Sequence, residues 1–244
     1  MFAKINKIVY LIPNKKQNIN FATVKEIEPI AFFRSPLTSK FGIPRQSGLA
    51  HNLVGRIVFE KKYQREEALR GLEDFDYLWL IWGFSANPSS NEIKFTVRPP
   101  RLGGNKRLGV FATRSPFRPN GLGLSSVLIK QITESEIEVI GADLMDGTPI
   151  YDIKPYIPYV DSHPEAKGGF TDKKEWQKLS VYIPDEIAAK FGVEELSALK
   201  EVLAQDPRPQ YQHNPERVYI MPFGGKEVFF RVSEGLLNVI RVRS

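Results

Sequence analysis

The sequence predicts a mainly β protein, with an antiparallel β-barrel N-terminal domain that carries one short helix and a small α+β C-terminal domain. Three observations carry that reading. Runs of β-branched and aromatic residues bounded by turn residues succeed one another from Phe21 to about Leu144, without long helices between them. That order disfavours a parallel doubly wound sheet and favours a closed or nearly closed, mostly antiparallel one. Near the C-terminus a helical pattern precedes two further β runs joined by Gly224-Gly225, a two-residue hairpin turn.

In chain order, residues 1–20 are rich in Lys and Asn around one short apolar patch and form an N-terminal extension without an assigned role. The domain spanning 21–165 then places strands at Phe32-Phe33, 54–59, 77–84, 108–112, 124–132 and 137–144. Glu136-Ile137-Glu138-Val139 alternates and marks a half-exposed strand, whereas Tyr77-Leu78-Trp79-Leu80-Ile81-Trp82 has no polar face and requires cover on both sides. A short helix interrupts the series at about 63–70, where Glu66, Glu67, Ala68 and Leu69 favour helix and Gly71 stops it. In the domain spanning 166–244, Pro184 opens a helix with Asp185 and Glu186 in its first turn, and Gly192 divides it from a second at 193–204. Leu196, Leu199 and Leu203 share a face of that second helix, which is a core-packing stripe. The hairpin 218–223 and 226–232 follows, with 236–242 as a third strand.

With 244 residues and 42% hydrophobic content, the chain can bury a substantial core. There are no cysteines, and His51, His163 and His213 stand far apart, so disulfides and thiolate metal sites are excluded and no metal is expected. The apolar run 8–12 is shorter than the roughly 7 to 15 residues of a signal-peptide core, so the expected location is cytoplasmic, with no membrane partner.

The charge is strongly localised. Residues 93–133 contain no carboxylate and eight cations, Lys94, Arg98, Arg101, Lys106, Arg107, Arg114, Arg118 and Lys130, whereas the whole chain is only +6, so the remainder is slightly acidic. A local basic surface implies a polyanionic partner. Nine prolines and glycines punctuate the same stretch, so its arginines sit on shaped loops that can aim guanidinium forks at phosphate.

Motif mechanics narrow the chemistry further. Gly104-Asn105-Lys106-Arg107-Leu108-Gly109 approaches a phosphate loop, but Val110-Phe111 stands where Lys and Ser/Thr are required. Gly121-Leu122-Gly123 lacks the third glycine and the strand-turn-helix context of a dinucleotide site. No hydrolase elbow or histidine triad can be assembled. The remaining candidates are Asp143, Asp146, Asp152, Tyr151 and Arg114. The residues alone leave two readings open: a noncatalytic RNA-binding barrel, or an enzyme whose rate comes from positioning.

Several blocks in one order resemble the TrmO (TsaA-like) family. They are Phe41-Gly42-Ile43-Pro44-Arg45-Gln46, Arg70-Gly71-Leu72-Glu73, Val97-Arg98-Pro99-Pro100-Arg101-Leu102-Gly103-Gly104, Gly109-Val110-Phe111-Ala112-Thr113-Arg114-Ser115-Pro116, Asp146-Gly147-Thr148-Pro149 and Asp152-Ile153-Lys154-Pro155-Tyr156. The resemblance is dense over about 21–165 and thinner at Val202-Leu203-Ala204-Gln205-Asp206-Pro207-Arg208-Pro209, which looks like the C-terminal signature of the bacterial branch.

That resemblance implies an S-adenosylmethionine-dependent tRNA methyltransferase acting on N6 of threonylcarbamoyladenosine beside the anticodon. A different adenosine-like substrate is the alternative. It also implies a homodimer with the cofactor near the contact between barrels. By the same resemblance the cofactor contacts are Pro44, Arg45, Gln46, Ser85, Ala86, Arg114, Leu124, Asp143, Leu144, Met145 and Asp146, with Ser85 contacting through its backbone. Asp143 or Asp146 is the expected acceptor of the N6 proton, directly or through water. Asp143 reads equally well as an Asx-type backbone partner. Arg98, Arg101, Lys106, Arg107 and Arg118 are expected on the anticodon stem-loop, with Arg208 and Tyr211 as further candidates for the same surface.

Overall fold

The computed structural model describes residues 26–86, 94–99, 106–173, 177–209 and 214–244. Residues 1–20 and the expected RNA contacts Arg101 and Tyr211 lie outside the described residues.

The first unit consists of β1 (Ala31–Arg34), β2 (Val54–Phe59), α1 (Glu66–Leu69), β3 (Tyr77–Gly83), β4 (Thr96–Val97), β5 (Leu108–Gly109), β6 (Leu122–Ile132), β7 (Glu136–Ile140), β8 (Pro149–Pro155) and α2 (Pro158–Asp161). Six of these strands hydrogen-bond in the ring β1-β2-β7-β6-β3-β8, and β8 returns to β1 through Ala31 opposite Ile150 and Phe32 opposite Pro149. Every pairing is antiparallel. Alternation places Phe33, Ile57, Leu78, Leu80, Val127, Ile137, Val139 and Ile150 inside, all but fully buried. β3 is central, with β6 on one edge and β8 on the other; its inward face is buried, whereas its outward face is only partly covered, with Tyr77 exposed. Its outward Trp79 is covered by Tyr156 and donates through Nε1 to Asp161 Oδ2 at 2.9 Å.

The second unit contains β9 (Ser180–Tyr182), α3 (Asp185–Ala188), α4 (Val193–Ala204), β10 (Tyr219–Phe223), β11 (Lys226–Ser233) and β12 (Leu236–Arg243). The sheet order is β10-β11-β12-β9, with β9 parallel to β12. The Gly224-Gly225 turn joins β10 to β11 as expected, and α4 occupies the residues its periodicity predicts. Acidic Glu194 and Glu195 stand in its first turn, and the Glu195 carboxylate accepts the Gly192 N–H at 3.4 Å. Ala198, Leu199, Val202 and Leu203 form its buried face.

Local chemistry shortened several expected elements. The run 108–112 is a two-residue strand followed by a 3-10 turn over Val110–Ala112, because Thr113 sends both its N–H and its hydroxyl back to the Val110 carbonyl. The helix expected at 63–70 is confined to Glu66–Leu69, since Arg65 is extended. β7 ends at Ile140, where Gly141 donates to Leu53 and accepts from Gly48. β8 and β9 escaped notice because proline brackets the former and the latter is three residues long.

The core is divided unexpectedly. One cluster fills the strand ring. The other is centred on the C-terminal sheet and α4 but also takes Leu37, Ala50 and Leu53 from the connection between β1 and β2. Phe41 stacks on Tyr219 and Phe230, with centroids 6.5 and 6.3 Å away. Gly42 has φ +100°, and a Cβ there would lie 2.5 Å from Met221 Sδ, so only glycine lets the chain pass. Polar ties secure the same connection: Gly224 N–H to Pro36 O at 3.0 Å, and Asn52 N and Nδ2 to the Glu201 carboxylate, each at 2.7 Å.

Candidate active site at one end of the strand ring

Antiparallel order fixes where the connections emerge. Residues 35–53, 84–121 and 141–148 all leave the same end of the ring, where β1, β3 and β7 finish and β2, β6 and β8 begin. All the expected cofactor residues except Leu124, which lies on β6, are on these three connections. The connections converge on a cleft of about 190 Å³ lined by Lys40, Ile43, Trp82, Phe84, Ser85, Ala86, Pro116, Asp143, Met145 and Thr148.

Asp143 is the chemical centre of that cleft. Ser125 Oγ donates to its Oδ1 at 2.5 Å and itself accepts Trp82 Nε1–H at 3.0 Å. The chain Trp82–Ser125–Asp143 therefore fixes the carboxylate from below. Burial pushes its pKa above the ordinary carboxylate value, opposed by the Ser125 hydrogen bond, its own backbone, the Arg114 charge and the Ser47 N–H. Arg114 in turn donates through Nη1 to Gln46 Oε1, so 35–53 and 84–121 are tied together across the site.

Trp82 owes its position to a glycine. In the β3–β6 register it faces Gly123, where a Cβ would lie 2.3 Å from the indole. Gly123→Ala should displace the ring and loosen Asp143, costing about 1–3 kcal/mol by overpacking. Thermal unfolding and donor binding measured together check this. Wild-type values for both would show that the close approach does not position the carboxylate.

Of the expected cofactor residues, Ser85, Ala86, Asp143 and Met145 line this cleft. Pro44 is buried, and Arg45 and Gln46 are half-buried, on the connection that also supplies Lys40 and Ile43. Leu144 is fully buried in the ring core, which leaves only its backbone for a ligand. Leu124 is 56% exposed and points away from Ser125 on the opposite face of β6.

Asp146 is directed elsewhere. Its Oδ1 accepts the Ser35 N–H at 3.1 Å and its Oδ2 stands 3.7 Å from Arg34 Nη1. Its carboxylate lines a separate cleft, of about 330 Å³, with Arg34, Ser35, Pro36, Val54, Gly55, Arg56 and Glu138. The two acids assigned to one role thus lie in different surroundings.

The expected RNA contacts also divide. Arg98, Lys106 and Arg107 are exposed. Arg118 folds back to donate to the Thr113 carbonyl at 2.6 Å, and Arg208 forms a two-pronged pair with Asp206 at 2.8 and 3.0 Å, with both side chains largely buried. Both arginines thus have partners within their own loops. The residue reading missed Trp82, Ser125, Thr148 and Lys40. Ser125 stands opposite Leu80 and Trp82 opposite Gly123, so the Trp82–Ser125 bond runs diagonally between paired strands and depends on their register.

Among the described residues no group of three His, Asp or Glu side chains is placed to hold a metal. No helix among them is long and apolar enough to cross a membrane.

Residues 32–162 match the sequence profile described as tRNA-methyltransferase O N-terminal domain, and 177–244 match the TrmO C-terminal domain. The chain belongs to the TrmO family. It is 40% identical over 226 residues to the tRNA (adenine(37)-N6)-methyltransferase of Escherichia coli K12, spanning 88% of this chain and 96% of that one. A Pseudomonas aeruginosa relative whose name carries the words S-adenosylmethionine-dependent methyltransferase is 39% identical over 200 residues, spanning 79% of this chain and 86% of its own length. A crystal structure of TrmO from Pseudomonas aeruginosa superposes with a TM-score of 0.74 at 30% identity, covering 91% of this chain and all of that one.

Proposed function

We propose that this TrmO protein is a tRNA methyltransferase that transfers a methyl group from S-adenosylmethionine to N6 of threonylcarbamoyladenosine next to the anticodon. The observation that carries the reading is the buried carboxylate of Asp143, held by Ser125 and Trp82 at the floor of a cleft built from the three connections. The relatives' names support the tRNA adenine-N6 chemistry.

The residues present fit the donor. Trp82 and Phe84 offer an apolar wall, Asp143 accepts from a ribose or adenine donor group, and Arg114 supplies a cation for a carboxylate. When bound, S-adenosylmethionine supplies an already activated methyl group, so positioning can account for much of the rate. Asp143 receives the proton that N6 must lose, since a desolvated carboxylate with a raised pKa is a stronger base than an exposed one. At about 190 Å³ the cleft is smaller than the roughly 300–1,000 Å³ usual for an enclosed ligand of this class. A second copy of the chain completes it in this proposal, with Pro44, Arg45 and Gln46 beside the contact. The exposed Arg98, Lys106 and Arg107 hold the anticodon arm by its phosphates.

The test is transfer of labelled methyl from S-adenosylmethionine to a threonylcarbamoylated tRNA transcript, against the same transcript without the modification. Equal transfer to both would reassign the substrate, and transfer to neither would overturn the activity.

A pH dependence follows from the buried base. Asp143 must be ionised to accept the proton, and its folded pKa lies above the ordinary aspartate value of about 3.9. Single-turnover transfer should therefore be maximal on the alkaline side and fall as pH drops through that raised value. A rate constant that stays flat down to pH 4 would contradict the assignment.

A further inference from the structure

Three phenylalanines stand exposed on the basic connection: Phe95 at 72%, Phe111 at 74% and Phe117 at 48%. Backbone pairing and one cation contact link the segments that carry them. β4 pairs with β5, and the ladder continues as the Val110 N–H donates to the Phe95 carbonyl at 2.9 Å, which leaves Phe111 one residue beyond that bond. Lys94, next to Phe95, lies with Nζ 5.0 Å from the centroid of Phe117. Phe117 in turn follows Pro116, which lines the Asp143 cleft, and Phe111 precedes Arg114 by three residues. Phe117 thus stands one residue from the cleft lining, and Phe95 and Phe111 stand on the same connection.

Such a cluster has an energetic cost in water, and exposed apolar patches of this kind mark binding surfaces. Its surroundings select the partner. The described residues of the connection supply Lys94, Arg98, Lys106, Arg107, Arg114 and Arg118 and no acid. Flat rings set among cations match a single-stranded nucleic acid, whose bases stack while its phosphates meet the charges.

We propose that Phe95, Phe111 and Phe117 form a stacking platform for the loop bases that flank the target purine. Presenting a loop purine to a recessed carboxylate requires its neighbours to unstack, and exposed rings on the connection that helps line the cleft replace the lost stacking. The inference rests on the proposed RNA substrate and adds to it the residues that orient the loop.

The experiment uses the full chain and an anticodon stem-loop RNA carrying 2-aminopurine beside the target adenine. Binding should quench the fluorophore. Phe111→Leu and Phe117→Leu, which keep the apolar volume and remove the flat face, should each weaken binding by about fivefold to a hundredfold and reduce the quench. The salt dependence should remain, because the phosphate contacts are unchanged. Phe111→Trp should restore both signals. Wild-type affinity and quench in both leucine variants would overturn the platform. So would a switch to a smaller sedimenting species with RNA affinity per chain unchanged, which would give the face to a second copy of the protein. Intact quenching in the absence of methyl transfer would count against the methyltransferase reading and leave the platform standing.

Discussion

Replacing Asp143 with alanine is expected to lower single-turnover methyl transfer by about 10²–10⁴-fold at saturating donor and tRNA, the range over which a positioned general base contributes. Asp143→Asn should lose nearly as much, because the amide keeps the shape and the acceptor for Ser125 but cannot take a proton. Asp146→Ala is the decisive comparison. Its carboxylate accepts the Ser35 N–H and faces Arg34 outside the Asp143 cleft, so its loss should cost about 0.5–1.5 kcal/mol of stability and leave the chemical step within tenfold. Rapid-quench measurement on all three variants separates the roles, and equal losses at 143 and 146 would remove Asp143 as the sole base. Stability should move in the opposite sense. A carboxyl whose folded pKa is raised favours the folded state below the unfolded value, and that contribution disappears as pH rises through the folded value. Asp143→Asn should accordingly gain in melting temperature, relative to wild type, as pH rises.

Leu37→Ala should have the largest effect on stability, about 2–5 kcal/mol, and should also weaken donor binding although Leu37 lines neither cleft. Leu37 belongs to the core of the C-terminal unit, and the connection it anchors carries Lys40, Ile43, Pro44, Arg45 and Gln46 to the site. Leu199→Ala, on α4 in the same cluster, should reproduce both effects from the other side. Urea unfolding gives the stabilities, and calorimetry with S-adenosylmethionine on the folded variants gives the affinities. Wild-type donor affinity in both would mean that the C-terminal unit does not position the 35–53 connection.

The residues themselves determined the mainly β class, α4 and the Gly224-Gly225 hairpin, because periodicity and turn chemistry act over a few neighbouring positions. They also determined the carboxylate-free basic segment, which is a property of composition. They did not determine which acid faces the cleft. Asp143 and Asp146 are three residues apart in one loop, and their separation into two environments comes from Ser125 on β6 and Arg34 and Ser35 at the end of β1. Nor did they reveal that Gly123 makes room for Trp82, since that contact depends on strand register. Arg118 and Arg208 show the same limit, as basic residues whose partners lie in their own loops. The packing of the C-terminal unit against the connection after β1 was decided only by tertiary structure. Burial of Leu37, Ala50 and Leu53 in its core depends on contacts between segments more than a hundred residues apart, which no local pattern encodes.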